Sequence, residues 1–180
     1  MALTLISTHT ASASATLDIT SGIDSTYDSY EFHFVNMHAA TDNVNLTFQV
    51  NATDGADFND SPITSTFFSA GHTEGDTYPG LGYEAWADSA QISATYTLIG
   101  LYFGNQNDES GSGVMTLYAP SSTTYVKHWT SEIQVVTRDE YSRIGYSAGY
   151  INDATAIDEI SFKMSSGNID AGTIKMFGVS

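Results

Sequence analysis

A chain of 180 residues that is 41% hydrophobic can bury a core of its own, yet only 14% of it is charged and its formal net charge is −16. Five Lys and Arg against 21 Asp and Glu argue against nucleic-acid binding through phosphates, which needs clustered cations, and against docking on anionic membranes. With no cysteine there is no disulfide, thiolate metal ligand or cysteine nucleophile, and abundant Ser, Thr, Asn, Gly and Tyr suit a β protein with polar turns better than a helical bundle.

The start, MALTLISTHTASAS, lacks a basic segment and a continuous apolar core, so it does not read as a signal peptide. No apolar run approaches the roughly 18 residues that a spanning helix needs. In YEFHFVNMH, Phe32 and Phe34 oppose Glu31, His33 and Val35, an imperfect alternation. VNLTFQVNA is cleaner: Val44, Leu46, Phe48 and Val50 fall on one face and Asn45, Thr47, Gln49 and Asn51 on the other, the pattern of a half-buried strand. Turn-rich segments follow over Thr53 to Pro62 and Ala70 to Gly82. GYEAWADSAQIS places Tyr83, Trp86 and Ala90 at helical spacing and predicts a helix of two to three turns. A third polar segment, Gly104 to Gly113, leads into the apolar VMTLYA. YVKHWTSEIQVVT, from Tyr125 to Thr137, is long enough for one bent strand or two. RIGYSAGYIN sets Ile144, Tyr146, Ala148 and Tyr150 against Gly145, Ser147 and Gly149, small residues that let another layer approach. ISFKMSS and TIKMFG alternate around Gly167, Asn168 and Gly172, and predict a terminal hairpin with Lys163 and Lys175 on its open face. There the lysines blunt a sheet edge, balance local acid, or, with Phe177, dock on an acidic neighbour. The sum is an all-β chain: one antiparallel β-sandwich or jelly-roll-like domain over residues 1–180, with about ten strands and one short helix.

Sites of chemistry are sparse. His33 and His38 are five apart, which on a regular strand sends them to opposite faces, and no HxH or HExxH spacing occurs. The carboxylate pairs (Asp57/Asp60, Glu74/Asp76, Asp108/Glu109, Asp139/Glu140, Asp158/Glu159) lie in polar loops where solvated turns are the plain reading. No cofactor is expected; if a metal binds, the oxygen-rich loops suit calcium, with Asp54, Asp57, Asp60, Asn105 and Asp108 as ligands, although neither loop has the EF-hand pattern. Tyr27, Tyr30, Tyr78, Tyr102 and Tyr141 lie in or beside loops and are the candidates for stacking on a glycan or anchoring a receptor.

The opening TLISTHTASASATLDITSGIDSTYDSYEFHFVNMHAATD, then PSSTTYVKHW, SAGYIN and the closing ISFKMSSGNIDAGTIKMFG, resemble short virion structural proteins of marine bacteriophages, over nearly the whole chain. The resemblance implies no active site. It implies a non-enzymatic protein made in the bacterial host cytoplasm and carried on the virion as capsid decoration, head fibre or small tail attachment module. Its expected partners are other capsid or tail proteins and its own copies in a homotrimer. The alternative is a tail receptor-binding or free carbohydrate-binding sandwich, calcium-assisted or not, that faces a host surface glycan or receptor.

Overall fold

In the computed structural model, which describes residues 2–53, 57–58, 61–77, 79–88 and 95–180, the period-two stretches become strands. Among the described residues there are twelve: β1 (Leu3–Ser14), β2 (Leu17–Ile19), β3 (Ser29–Ala39), β4 (Val44–Ala52), β5 (Ile63–Thr73), β6 (Pro79–Tyr83), β7 (Thr97–Phe103), β8 (Gly111–Tyr118), β9 (Lys127–Val136), β10 (Tyr141–Ile151), β11 (Ile157–Met164) and β12 (Ile169–Val179). They form two antiparallel sheets, one of eight strands in the order β1-β12-β3-β8-β9-β10-β5-β6, the other of four in the order β2-β11-β4-β7. The predicted helix is not formed as such. Tyr83 belongs to β6, Ala85–Ala87 make one 3-10 turn, and the remainder of that segment, from 89 to 94, lies outside the described residues.

The sheets face one another across a single large apolar cluster. Phe32 and Phe34 of the large sheet meet Phe162 of the small one at 5.5 and 5.2 Å between ring centroids, and Trp129 meets Phe48 at 4.8 Å. All five rings are at most 2% exposed. Burial of each such ring is worth about 2–3 kcal/mol, so this interface is the main source of stability. Glycines on β10 leave room for rings of the neighbouring strands β5 and β9: a Cβ on Gly145 would stand 2.6 Å from the Phe67 ring, and one on Gly149 3.0 Å from Trp129. The small-residue face of RIGYSAGYIN is therefore its inward face, and Ile144, Tyr146 and Tyr150 point outward, half-buried.

Several expectations are corrected. β4 is buried on both faces, with Thr47, Gln49 and Asn51 at 3%, 0% and 6% exposure. Connecting segments help cover its polar side, where Gln49 Nε2 donates to the Ser61 and Thr95 carbonyls, and the Thr47 hydroxyl donates to the carbonyl of Lys163 on the neighbouring β11. The terminal hairpin does not exist. β11 pairs with β2 and β4 in the small sheet, and β12 with β1 and β3 in the large one, so the chain crosses the sandwich between them. Neither strand is an edge. His33 and His38 do not oppose each other either. A bulge between Phe34 and Met37, with Asn36 at φ 50°, adds one residue to β3. Tyr30, Phe32 and Phe34 face the core before it and Met37 and Ala39 after it, leaving both histidines on the outward side.

One lysine escaped the sequence pattern. Lys127 opens β9 fully buried, and its ammonium donates to the carbonyls of Asp153, at 2.9 Å, and Thr155. Those carbonyls belong to the crossing from β10 to β11, so the side chain ties the crossing to the large sheet. Burial lowers the pKa of the amine, and the charge of Asp153 opposes that shift.

Candidate functional site

The large sheet overhangs the small one at β5 and β6. There a second, small core of Phe67, Ala87 and Leu101 fills the gap, with Leu98 and Tyr102 packed against it. The sheets join at this corner through a bridge between Phe103, at the end of β7, and Thr137, just after β9. The turn that precedes β4 and the turn between β9 and β10 lie beside the bridge. Near this bridge, inward-facing positions of β10 carry polar side chains.

Arg143 is one of them. It shares the parity of Gly145, Ser147 and Gly149, which places it on the inward face, and that parity is the sequence signal that could have found it. Its Nη1 donates to Glu84 Oε1 at 3.0 Å and to the Ser69 hydroxyl at 3.1 Å. Ser69, buried on β5, itself donates to Glu84 Oε1 at 2.7 Å, and Trp86 Nε1 donates to Glu84 Oε2 at 2.8 Å. The guanidinium lies 4.8 Å from the centre of the Tyr102 ring, which Trp86 meets at 5.5 Å. Burial by itself would raise the Glu84 pKa, but the Ser69 and Trp86 hydrogen bonds and the Arg143 charge together hold it below the usual carboxylate value. The Tyr102 phenol is pushed up by burial and by the charge of Glu84.

Two clefts flank this network, of about 330 and 290 Å³, and both are lined by Tyr141 and Arg143. Ser69, Gly80, Leu81 and Glu84 are among the other residues of the first; Asn43, Tyr102, Thr137, Arg138 and Asp139 line the second. Both arginines of the chain thus meet at one cleft. Asn43, Tyr102 and Glu140 hold left-handed backbone at φ 57°, 59° and 56°, a conformation Asn tolerates and Tyr and Glu adopt at a cost. The Asn45 side chain fixes one of them by accepting from the Tyr102 amide at 3.0 Å.

The other expected site residues fall elsewhere. Tyr30 is fully buried and cannot stack on a ligand; its hydroxyl bonds to the amide, carbonyl and carboxylate of Asp24. Tyr27 packs edge-on against it at 5.8 Å. Asp54, Asp60 and Tyr78 lie outside the described residues. Asp57, Asn105 and Asp108 are exposed, and among the described residues no three His or carboxylate groups converge as a metal set. The acid of that last loop that is buried, Glu109, accepts from the Gln106 amide at 2.7 Å and so closes its own turn. The Lys163 ammonium lies 3.8 Å from the centre of the Tyr96 ring, on the outer face of the small sheet. Lys175 is exposed on the outer face of the large sheet, and Phe177 there meets the His33 ring at 4.6 Å. The two lysines stand on opposite sides of the sandwich and cannot form one docking patch.

Comparison with protein-family models, with curated proteins and with solved structures finds no match to the chain.

Proposed function

We propose that the chain is a non-enzymatic structural module on the exterior of a bacteriophage particle, a capsid decoration, head fibre or small tail attachment, held there as a symmetric oligomer. A homotrimer is the expected form. The observation that carries this reading is the outer face of β10, β5 and β6. The register aligns Tyr146, Phe68 and Tyr83 in one row and Ile144, Ala70 and Leu81 in the next. Leu81 is 77% exposed and Tyr83 61%. The outward positions of these three strands include no Asp, Glu, Lys or Arg, in a chain of net charge −16.

Copies of so acidic a chain repel one another across most of their surface. An uncharged aromatic face is where they, or a capsid or tail protein, can meet without that cost. A shallow cavity of about 510 Å³ between β5, β6 and β10, lined by Ala70, His72, Leu81 and Ile144 among others, offers such a contact its relief. The likeness of the opening and closing stretches to marine phage virion proteins supplies the particle.

The test has two parts. In solution, mass photometry of the wild type should report an oligomer, and the Phe68→Asp, Tyr146→Asp double variant a single folded chain. On purified particles, cryo-electron microscopy should show side-chain density on the capsid or tail with this face covered. An oligomer indifferent to both substitutions would remove the face, and particles without the protein would remove the virion.

A further inference from the structure

The geometry points to a binding site for a neutral oligosaccharide at the corner where β7 meets β10, independent of whether the protein sits on a virion. Three observations support it. The first is a fixed aromatic surface. Trp86 is 51% exposed, unusual for so large a ring, yet it is not loose: Glu84 holds its Nε1 and the Tyr102 ring meets it at a 45° tilt. Ser69 and Arg143 hold Glu84 in turn. A rigid, half-exposed indole presents a flat apolar face at little entropic cost, which is what the C–H face of a pyranose ring requires.

The second is polar capacity of mixed sign. Arg143 Nε is a buried donor and Asp42 Oδ1, on the turn beside Asn43, a buried acceptor, and neither has a hydrogen-bond partner among the described residues. A sugar hydroxyl both donates and accepts, so one in the clefts that Arg143 lines can bond its Nε. The third is size and charge. Clefts of about 330 and 290 Å³ on either side of Tyr141 and Arg143 are at the small end for ligand cavities, fitting consecutive sugar units better than one bulky molecule. Asp42, Glu84, Asp139 and Glu140 surround Arg138 and Arg143, and Arg138 is already paired with Asp139 at 3.3 Å. Carboxylates outnumber guanidiniums, so an acidic sugar is repelled and a neutral one is not.

Tryptophan fluorescence provides the experiment, because Trp129 is only 1% exposed and Trp86 alone can report on a surface ligand. The probes are cellotriose, maltotriose, chitotriose and mannotriose, with trigalacturonate as the acidic control. At least one neutral trisaccharide should shift the emission with a millimolar dissociation constant, and trigalacturonate should not. In NMR titrations the same sugar should move the amides of Tyr102, Tyr141 and Arg143. Scored by NMR, Trp86→Ala should weaken binding by about tenfold or more with the folded amide spectrum retained, and Tyr141→Ala should weaken it with Trp86 in place. Failure of all four neutral sugars to perturb Trp86 or these amides overturns the site. So does trigalacturonate binding as well as they do, or shifts that cluster elsewhere.

Discussion

At the scale of the residue, two side chains show how the environment sets a role. Glu84 sits among Ser69, Trp86 and Arg143 with its side chain 18% exposed. Its pKa in the folded protein lies below that in the unfolded chain, so the unfolded state binds the proton more readily. The stabilisation is present above the unfolded value and is lost as pH falls through the folded one. Glu84→Gln should therefore cost about 1–3 kcal/mol at neutral pH and progressively less below about pH 4, measured by urea denaturation across pH. A cost that does not change with pH would show that the carboxylate charge is immaterial. Tyr30 has the opposite lesson. A tyrosine beside a loop reads as a ligand contact, but its ring is at 0% exposure and its hydroxyl organises Asp24. Tyr30→Phe should cost about 1–2 kcal/mol, since it leaves the Asp24 amide without its acceptor. A Tyr30→Phe protein as stable as the wild type would mean that the loop finds other partners. The inward side of Arg143 was legible from parity, whereas the burial of Tyr30 depended on a loop whose path no local pattern encodes.

At the scale of the element, the apolar and alternating stretches located β3, β4 and β8 to β12, but Ala70 to Gly82, read as turns, carries the end of β5 and most of β6. The bulge in β3 turns on Asn36 at φ 50°, which Asn tolerates and a β-branched residue does not. Asn36→Val should destabilise by about 1–2 kcal/mol, a fall in melting temperature of about 2–8 °C, while Asn36→Gly should be near neutral. Equal melting temperatures for the two variants would sink this account of the bulge. The predicted helix failed for a related reason. Its i, i+3, i+7 spacing required Tyr83 and Trp86 to share a buried stripe, but Tyr83 pairs with Phe68 in the sheet and Trp86 rests on Tyr102. β1 shows little apolar period because an edge strand with exposed Leu3 and Leu5 has little core to record.

At the scale of the molecule, the consequential correction is that β11 and β12 belong to different sheets. Lys163 and Lys175 are then separated by the thickness of a sandwich, about 10 Å of core between the sheets. Their substitutions should act independently: in a double-mutant cycle of Lys163→Glu and Lys175→Glu, the coupling in unfolding free energy should stay within about 0.5 kcal/mol. A larger coupling would mean that the two strands communicate as a hairpin does. Particle occupancy of the two single variants separates the faces further, because only Lys175 shares the outer surface of the large sheet with the Phe68 band.

By itself the sequence determined the all-β class of the protein and the alternation of faces along five strands, β3, β4, β10, β11 and β12. Alternation, glycine parity and polar turns are local properties, and each is written within a few residues. Tertiary structure alone decided which strands are neighbours, that β4 is covered on both sides, and that Lys127 is buried. It also decided that Ser69, Glu84, Trp86, Tyr102 and Arg143, from distant parts of the chain, form one network. Strand pairing is set by which faces fit across the whole core, and a period of two is the same whichever sheet the strand joins.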